Sequence, residues 1–169
     1  MKTVLLIRHA KSSWDDPIMI DFERPLNERG KKDAPIMASK VKERKINIDA
    51  FISSPAKRAK KTARLFAEEY KYNENNILYK TELYHADAST FYEVIENTGN
   101  EYESIAVFSH NPGITYFVNE LTEVKLDDMP TCAVFALQAD CSKWKDFRKA
   151  KKKFLFFDYP KAMNEISVK

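Results

Sequence analysis

Two of the three histidines in this chain of 169 residues stand in the same setting. His9 follows the apolar run Leu5-Leu6-Ile7 and Arg8, and His110 follows Ile105-Ala106-Val107-Phe108-Ser109. Runs of this kind suit buried strands, and open α/β sheets bind their ligands at the carboxyl ends of parallel strands. Two imidazoles and a guanidinium delivered to one such edge suit phosphoryl transfer. A neutral imidazole attacks phosphorus near physiological pH and carries the group as a phosphohistidine until water releases it. No serine or cysteine has a nucleophile-elbow setting such as GxSxG. His9 is therefore the candidate nucleophile, and His110, once protonated, a hydrogen-bond donor to the transferring group.

Two strand ends are followed by the same device. Ser54-Pro55 comes after Phe51-Ile52-Ser53, and Asn111-Pro112 after His110. Ser or Asn at the N-cap with Pro at the first helical position predicts a sharp strand-to-helix turn, and helix N-termini favour an anion. Arg58, in the first turn of one helix, and Arg8 then hold phosphate oxygens through charge-assisted hydrogen bonds. With only Gly30, Gly99 and Gly113 there is no GxGxxG and no GxxxxGK loop, which argues against nucleotide-binding folds of those types. Phosphoryl transfer needs mainly positioning and charge neutralisation, so neither a cofactor nor a metal is expected. Singly, each residue has a plainer reading: a histidine at a strand end is commonly structural, Arg8 could pair with a surface carboxylate, and Arg58 could be one charge in a basic helix. The combination is what points to chemistry.

Apolar runs suited to strands occur at Thr3 to Ile7, Ala50 to Ile52, Ile105 to Phe108, Ala133 to Leu137 and Phe154 to Phe157. Helical periodicity falls between them. It places Ala59, Ala63, Phe66, Ala67 and Tyr70 on one face, Ile114, Phe117, Val118 and Leu121 on another, and Phe91, Val94 and Ile95 on a third. A further helix around Glu28 to Lys45 carries Ala34, Met37, Ala38 and Val41, with Pro35 predicting a kink or a late start. Strands alternating with helices imply an α/β fold whose mostly parallel sheet is covered on both faces. Length and 44% hydrophobic residues suit a single domain over 1–169.

No stretch is long and apolar enough to span a bilayer, and the chain runs into its first strand without a signal-peptide pattern, so a soluble, cytoplasmic protein with no membrane partner is expected. Cys132 and Cys141 read as free thiols. A net charge of +3 does not argue for nucleic acid. Basic residues do cluster at Lys57-Arg58-Lys60-Lys61-Arg64 and at Lys149-Lys151-Lys152-Lys153, mostly as solvated surface but able to bias it toward anionic partners.

Arg8-His9-Ala10, Arg24-Pro25-Leu26-Asn27-Glu28-Arg29-Gly30, Ser54-Pro55-Ala56-Lys57-Arg58 and Ser109-His110-Asn111-Pro112 occur in the order of the histidine phosphatase superfamily, the phosphoglycerate mutase-like proteins. Together with the ending from Trp144 through Lys153 to Phe154-Leu155-Phe156-Phe157 and Pro160-Lys161, they make the chain most similar to the small SixA-type phosphohistidine phosphatases. The resemblance covers nearly the whole chain. It implies a three-layer α/β/α sandwich, His9 as the phosphorylated nucleophile, Arg8, Arg58 and His110 as the phosphate clamp, and Arg24 as a further basic residue at the rim.

This chain departs from the family pattern in reading RHA for RHG. Many members place an acid after the third strand to protonate the leaving oxygen, and here Glu82, His85 and Asp87 compete for that role. Asp87 also suits a helix cap and Glu82 a solvated strand position, while SixA-type enzymes manage without a strong acid because an imidazole leaves more readily than an alkoxide. Residues 65 to 104 leave little room for the lid of larger members, so an open site and a phosphohistidine protein substrate are expected, such as a phosphotransfer domain or carrier whose acidic surface meets the lysines. The alternatives are a broad small-molecule phosphomonoesterase and a non-catalytic module that binds phospho-ligands with the same arginines. A mutase is disfavoured because the longer RHGExxWN signature is missing.

Overall fold

Alternate residues of strand β1 (Lys2–Arg8) enter two different cores. Val4 and Leu6 pack with Phe91, Val94, Ile95, Ile114, Phe117 and Val118, while Leu5 and Ile7 pack with Ala34, Met37, Ala38, Ala63, Phe66 and Ala67. Strand side chains alternate between faces, so a strand apolar at every position must be covered on both. The computed structural model describes residues 1–160 of the chain; Lys161, part of the ending read above, lies outside them.

The remaining elements are α1 (Glu28–Glu43), β2 (Ala50–Ser53), α2 (Lys57–Glu69), β3 (Leu78–Tyr79), α3 (Ala88–Glu96), β4 (Ser104–Ser109), α4 (Gly113–Val118), β5 (Val134–Ala139) and β6 (Lys152–Asp158). Their strands form one sheet in the order β3-β2-β4-β1-β5-β6. Parallel pairing joins β3, β2, β4 and β1, and β5 runs antiparallel to both of its neighbours. Helices α1 and α2 cover one face, and α3 and α4 the other, giving the three-layer α/β/α sandwich.

Helix α1 does not start late. Asn27 caps it by accepting a hydrogen bond from Gly30 N, and Pro35 lies inside it. An interior proline costs about 3 kcal/mol. Burial of Met37 and Val41, each worth about 1.5–3 kcal/mol, together with Ala34 and Ala38, offsets that cost.

The helix starts after β2 and β4 also differ from expectation. Helix α2 begins at Lys57 and α4 at Gly113, so neither Pro55 nor Pro112 is the first helical residue. The side chains expected to cap are shared with distant partners: Ser54 Oγ accepts from Ala56 N at 3.2 Å but also lies 2.8 Å from His110 Nε2, and Asn111 donates to Asp128 and Met129 O while accepting from Thr115 of α4.

Candidate active site

Register brings the two histidines together. Strands β1 and β4 are parallel neighbours with Arg8 opposite Ser109, and the backbone N–H of His9 donates to Ser109 O at 3.1 Å. The residues that follow, His9 and His110, emerge side by side with ring centroids 5.1 Å apart.

His9 Nδ1 lies 2.7 Å from Ala10 O. A carbonyl only accepts, so Nδ1 carries the proton and Nε2 keeps its lone pair. Arg58 Nε donates to that Nε2 across 3.3 Å. Burial, reinforced by His110, Arg58 and Arg8, holds the His9 pKa well below the ordinary histidine value. The imidazole is therefore neutral, with Nε2 unprotonated and accepting from Arg58. Burial and Arg58 likewise push His110 down to about 3, so it is neutral in the empty pocket rather than protonated. An entering phosphate would supply the negative charge that its protonation requires.

Around the histidines lies a cavity of about 390 Å³ lined by Arg8, Arg24 and Arg58 together with Ser12, Asp21, Tyr84, His85 and Asn111. Arg8 donates to Met129 O at 2.9 Å and stands 4.0 Å from Asp128. Arg24 donates to Ser12 Oγ and, at 3.1 Å, to Asp21, with its guanidinium stacked 3.7 Å over Trp14. Arg58 grips Asp21 twice, through its carbonyl at 2.7 Å and Oδ2 at 2.9 Å. Tyr84 donates its hydroxyl to the same Oδ2 at 2.6 Å. Partial burial opposes ionisation of Asp21, but Tyr84, Arg58 and Arg24 together hold its carboxyl well below the usual carboxylate range. Asp21 is thus an anchor for two arginines and not a proton donor. The buried Nε atoms of Arg8 and Arg24 have no partner among the described residues, an unusual condition that a bound oxyanion would relieve.

The backbone under this pocket is fixed from two sides. Thr62 Oγ1, one turn along α2 from Arg58, accepts from Ala10 N at 2.9 Å and donates to Arg58 O at 2.8 Å. It ties the chain beyond His9 to the helix that carries Arg58. Gly30 packs so closely on Lys11 that an added Cβ would meet Lys11 O at 2.1 Å. Cys132, held at φ 62, donates its N–H to the carbonyls of both Arg8 and His9.

The structure thus brings Arg8, His9, Arg24, Arg58, His85 and His110 to one cavity. Two other residues singled out as proton donors are placed differently. Asp87 accepts from both N and Oγ1 of Thr90 at 2.9 Å, which makes it the cap of α3; it lines a neighbouring cleft with His85 and Tyr116. Glu82 is exposed on the 3-10 turn Thr81–Leu83 and lines neither space. Sequence reasoning missed Asp21. Its one signal is its place three residues before Arg24, a spacing that has no meaning until the 3-10 turn Asp21–Glu23 folds it back.

A signature described as the histidine phosphatase superfamily (branch 1) matches residues 4–83, the stretch holding Arg8, His9, Asp21, Arg24 and Arg58. Over that stretch the chain carries the signature of the histidine phosphatase superfamily. An uncharacterised chloroplastic protein of Arabidopsis thaliana is 27% identical over 154 residues, covering 86% of this chain and 70% of that one. An uncharacterised protein of Mycobacterium tuberculosis is 30% identical over 106 residues, 63% of each chain, so the match spans less than two thirds of that relative. Among solved structures, one assigned as the phosphohistidine phosphatase SixA of Agrobacterium tumefaciens aligns with a TM-score of 0.79 and 26% identity, over 94% of this chain and 98% of that one. The protein histidine phosphatase SixA complexed with tungstate aligns with a TM-score of 0.81 and 23% identity, over 95% and 99%.

The departure at Ala10 is absorbed by packing. Its methyl is fully buried in the core shared by Leu26, Ala34 and Phe66, and its carbonyl still accepts the proton of His9.

Proposed function

We propose that this chain is a phosphatase that removes phosphate from phosphohistidine on a protein, through a phosphorylated His9. The observation that carries the reading is the unprotonated Nε2 of His9, which accepts from Arg58 in a cavity lined by three arginines. The substrate's phosphoryl oxygens would take donors from Arg8, Arg58 and His110, with Arg24 at the rim. His9 Nε2 attacks phosphorus as the substrate's P–N bond breaks, and the departing imidazole nitrogen takes up a proton from solvent at the open mouth. Water then attacks the phosphorus on His9, one of its protons leaving on the phosphate and the other returning to solvent, and the P–N bond to His9 breaks to restore the neutral imidazole. Rate comes from positioning and from matching developing charge with fixed donors. A protein histidine phosphatase SixA of similar fold forms a complex with tungstate, an oxyanion, which supports an oxyanion ligand here.

Protein as substrate is supported by the rim. Trp14, which lines the cavity, is 76% exposed, and Tyr116, which shares the neighbouring cleft with His85, is 67% exposed. Exposed apolar groups clustered around a polar cavity suit a protein partner. Free thiols at Cys132 and Cys141 suit a reducing, cytoplasmic setting.

A small-molecule phosphomonoesterase is the second reading. It is favoured by His85, whose imidazole stands at the mouth of the cavity where an alkoxide would need a proton. The deciding experiment measures phosphate release from a histidine-phosphorylated protein and from p-nitrophenyl phosphate, for wild type and His9→Ala. Loss of about 10³-fold or more on both substrates, with acid-labile phosphate trapped on wild-type His9, is expected. A wild-type ratio favouring p-nitrophenyl phosphate would replace the protein substrate with a small one, and an unaffected His9→Ala enzyme would overturn the mechanism.

A further inference from the structure

A second cavity, of about 610 Å³, adjoins the phosphate pocket and takes no part in the chemistry above. The two share a wall. Asp21 faces the phosphate pocket and grips Arg58, while the next two residues of the same 3-10 turn, Phe22 and Glu23, line the second cavity. Helix α2 divides in the same way: Arg58 serves the phosphate pocket, and Lys57, Lys60, Lys61 and Arg64 line the groove.

The groove is strongly one-signed. Five cations, with Lys31 completing the set, face it against one carboxylate, Glu23. Lys31 is already paired with Glu28 at 3.4 Å and Arg64 with Glu74 at 3.9 Å. Among the described residues Lys57, Lys60 and Lys61 have no carboxylate within 4.0 Å. Between these charges the lining is apolar, from Phe22, Pro25, Leu26 and Pro55.

The other lysine cluster cannot serve the same site. Lys152 pairs with Ala139 and Lys153 with Gln138, and those two residues face Lys2 and Thr3 at the start of β1. Lys152 and Lys153 therefore lie at the end of the sheet away from Arg8 and His9.

We propose that this groove docks an acidic segment of the phosphorylated protein substrate, one that carries apolar side chains among its carboxylates. The assignment deepens the protein-phosphatase reading and rests on it. Carboxylates meet Lys57, Lys60 and Lys61, and apolar side chains meet Phe22 and Pro25, a combination that a nucleic-acid backbone does not offer. A segment seated there holds its neighbouring phosphohistidine over His9 without enclosing it, which is what a site with an open mouth needs.

The test uses the full chain and an acidic, histidine-phosphorylated phosphotransfer domain. Two triple variants, Lys57→Gln/Lys60→Gln/Lys61→Gln and the corresponding glutamates, are compared with wild type on that domain and on p-nitrophenyl phosphate. Binding of the fluorescently labelled, unphosphorylated domain is followed by anisotropy, beside a short single-stranded RNA. The glutamine variant is expected to lose about ten-fold in kcat/KM on the domain at low salt, with a smaller loss at high salt. The glutamate variant is expected to lose more, binding of the domain is expected to fall in parallel, and hydrolysis of p-nitrophenyl phosphate by the glutamine variant is expected to stay unchanged. Equal changes on both substrates, no change on the domain, or binding of RNA but not of the domain would overturn the proposal. Should the domain bind through these lysines yet release no phosphate, the docking site stands and the protein-phosphatase reading fails. Should phosphate be released equally by all variants, the reverse holds.

Discussion

Arg58 donates Nε–H to Nε2 of His9 across 3.3 Å while its other nitrogens are held by Asp21. The guanidinium is therefore aimed at the proposed nucleophile before any phosphate enters, and its aim depends on a carboxylate brought in from a different segment. A phosphoryl group settling over His9 must share Arg58 with Asp21.

Replacing Asp21 by Asn removes the charge that anchors Arg58 and Arg24 but keeps a similar shape. Inorganic phosphate or vanadate is expected to inhibit as well as in wild type or better, since a negative charge has left the pocket. Turnover is expected to fall by about 10- to 100-fold as Arg58 loses its fixed direction. Steady-state kinetics with an inhibition series checks this, and a parallel loss of anion binding would show that Asp21 supports the fold alone.

His85 can be separated from the rest of the pocket by its effect on different leaving groups. His85→Asn is expected to lower kcat/KM on an alkyl phosphate by about 10²-fold, the usual scale for a lost general acid. On phosphohistidine and p-nitrophenyl phosphate, whose leaving groups need less help, little change is expected. Equal losses on all three would assign His85 to binding.

Both pocket histidines are buried in the neutral form, so unfolding lets them take up protons below their ordinary pKa near 6.5. The unfolded state then binds more protons than the native state, and stability falls as pH drops from about 6.5 toward the folded-state pKa, about 3 for His110. Between pH 7 and 5 the His110 contribution to this loss is about 2 kcal/mol. Urea unfolding at the two pH values should show a correspondingly smaller loss for His110→Gln. For the same reason the acid limb of kcat/KM assigned to His9 should lie below 6.5.

Gly30→Ala tests the floor of the pocket. No glycine in the described residues has positive φ, so the requirement here is space: a methyl would meet the Lys11 carbonyl at 2.1 Å. Overpacking of this kind costs about 1–3 kcal/mol. Since Lys11 is two residues from His9, a drop in Tm of several degrees is expected together with lost turnover. A variant with normal stability and activity would show that the Lys11 segment moves freely.

Much of this protein was legible in its sequence because the relevant signals are local. The apolar runs that end at Arg8 and Ser109 specify doubly covered strands, and a strand that ends in a histidine delivers it to the sheet edge whatever its neighbours are. Alternation with amphipathic helices was enough for the layered α/β architecture. Tertiary structure alone decided the partners. Asp21, Arg58 and Tyr84 come from three separate segments, so nothing in their spacing announces that one carboxylate holds two arginines. Ser54 and Asn111 read as helix caps by local rules, but both side chains also engage long-range partners, and the helices begin two residues after Pro55 and one after Pro112. Which nitrogen of His9 is unprotonated was likewise decided by where the Ala10 carbonyl points, and the lysine cluster that adjoins the pocket by which end of the sheet each cluster occupies. Burial pattern is written along the chain, whereas hydrogen-bond partners and charge neighbours exist only once distant segments have met.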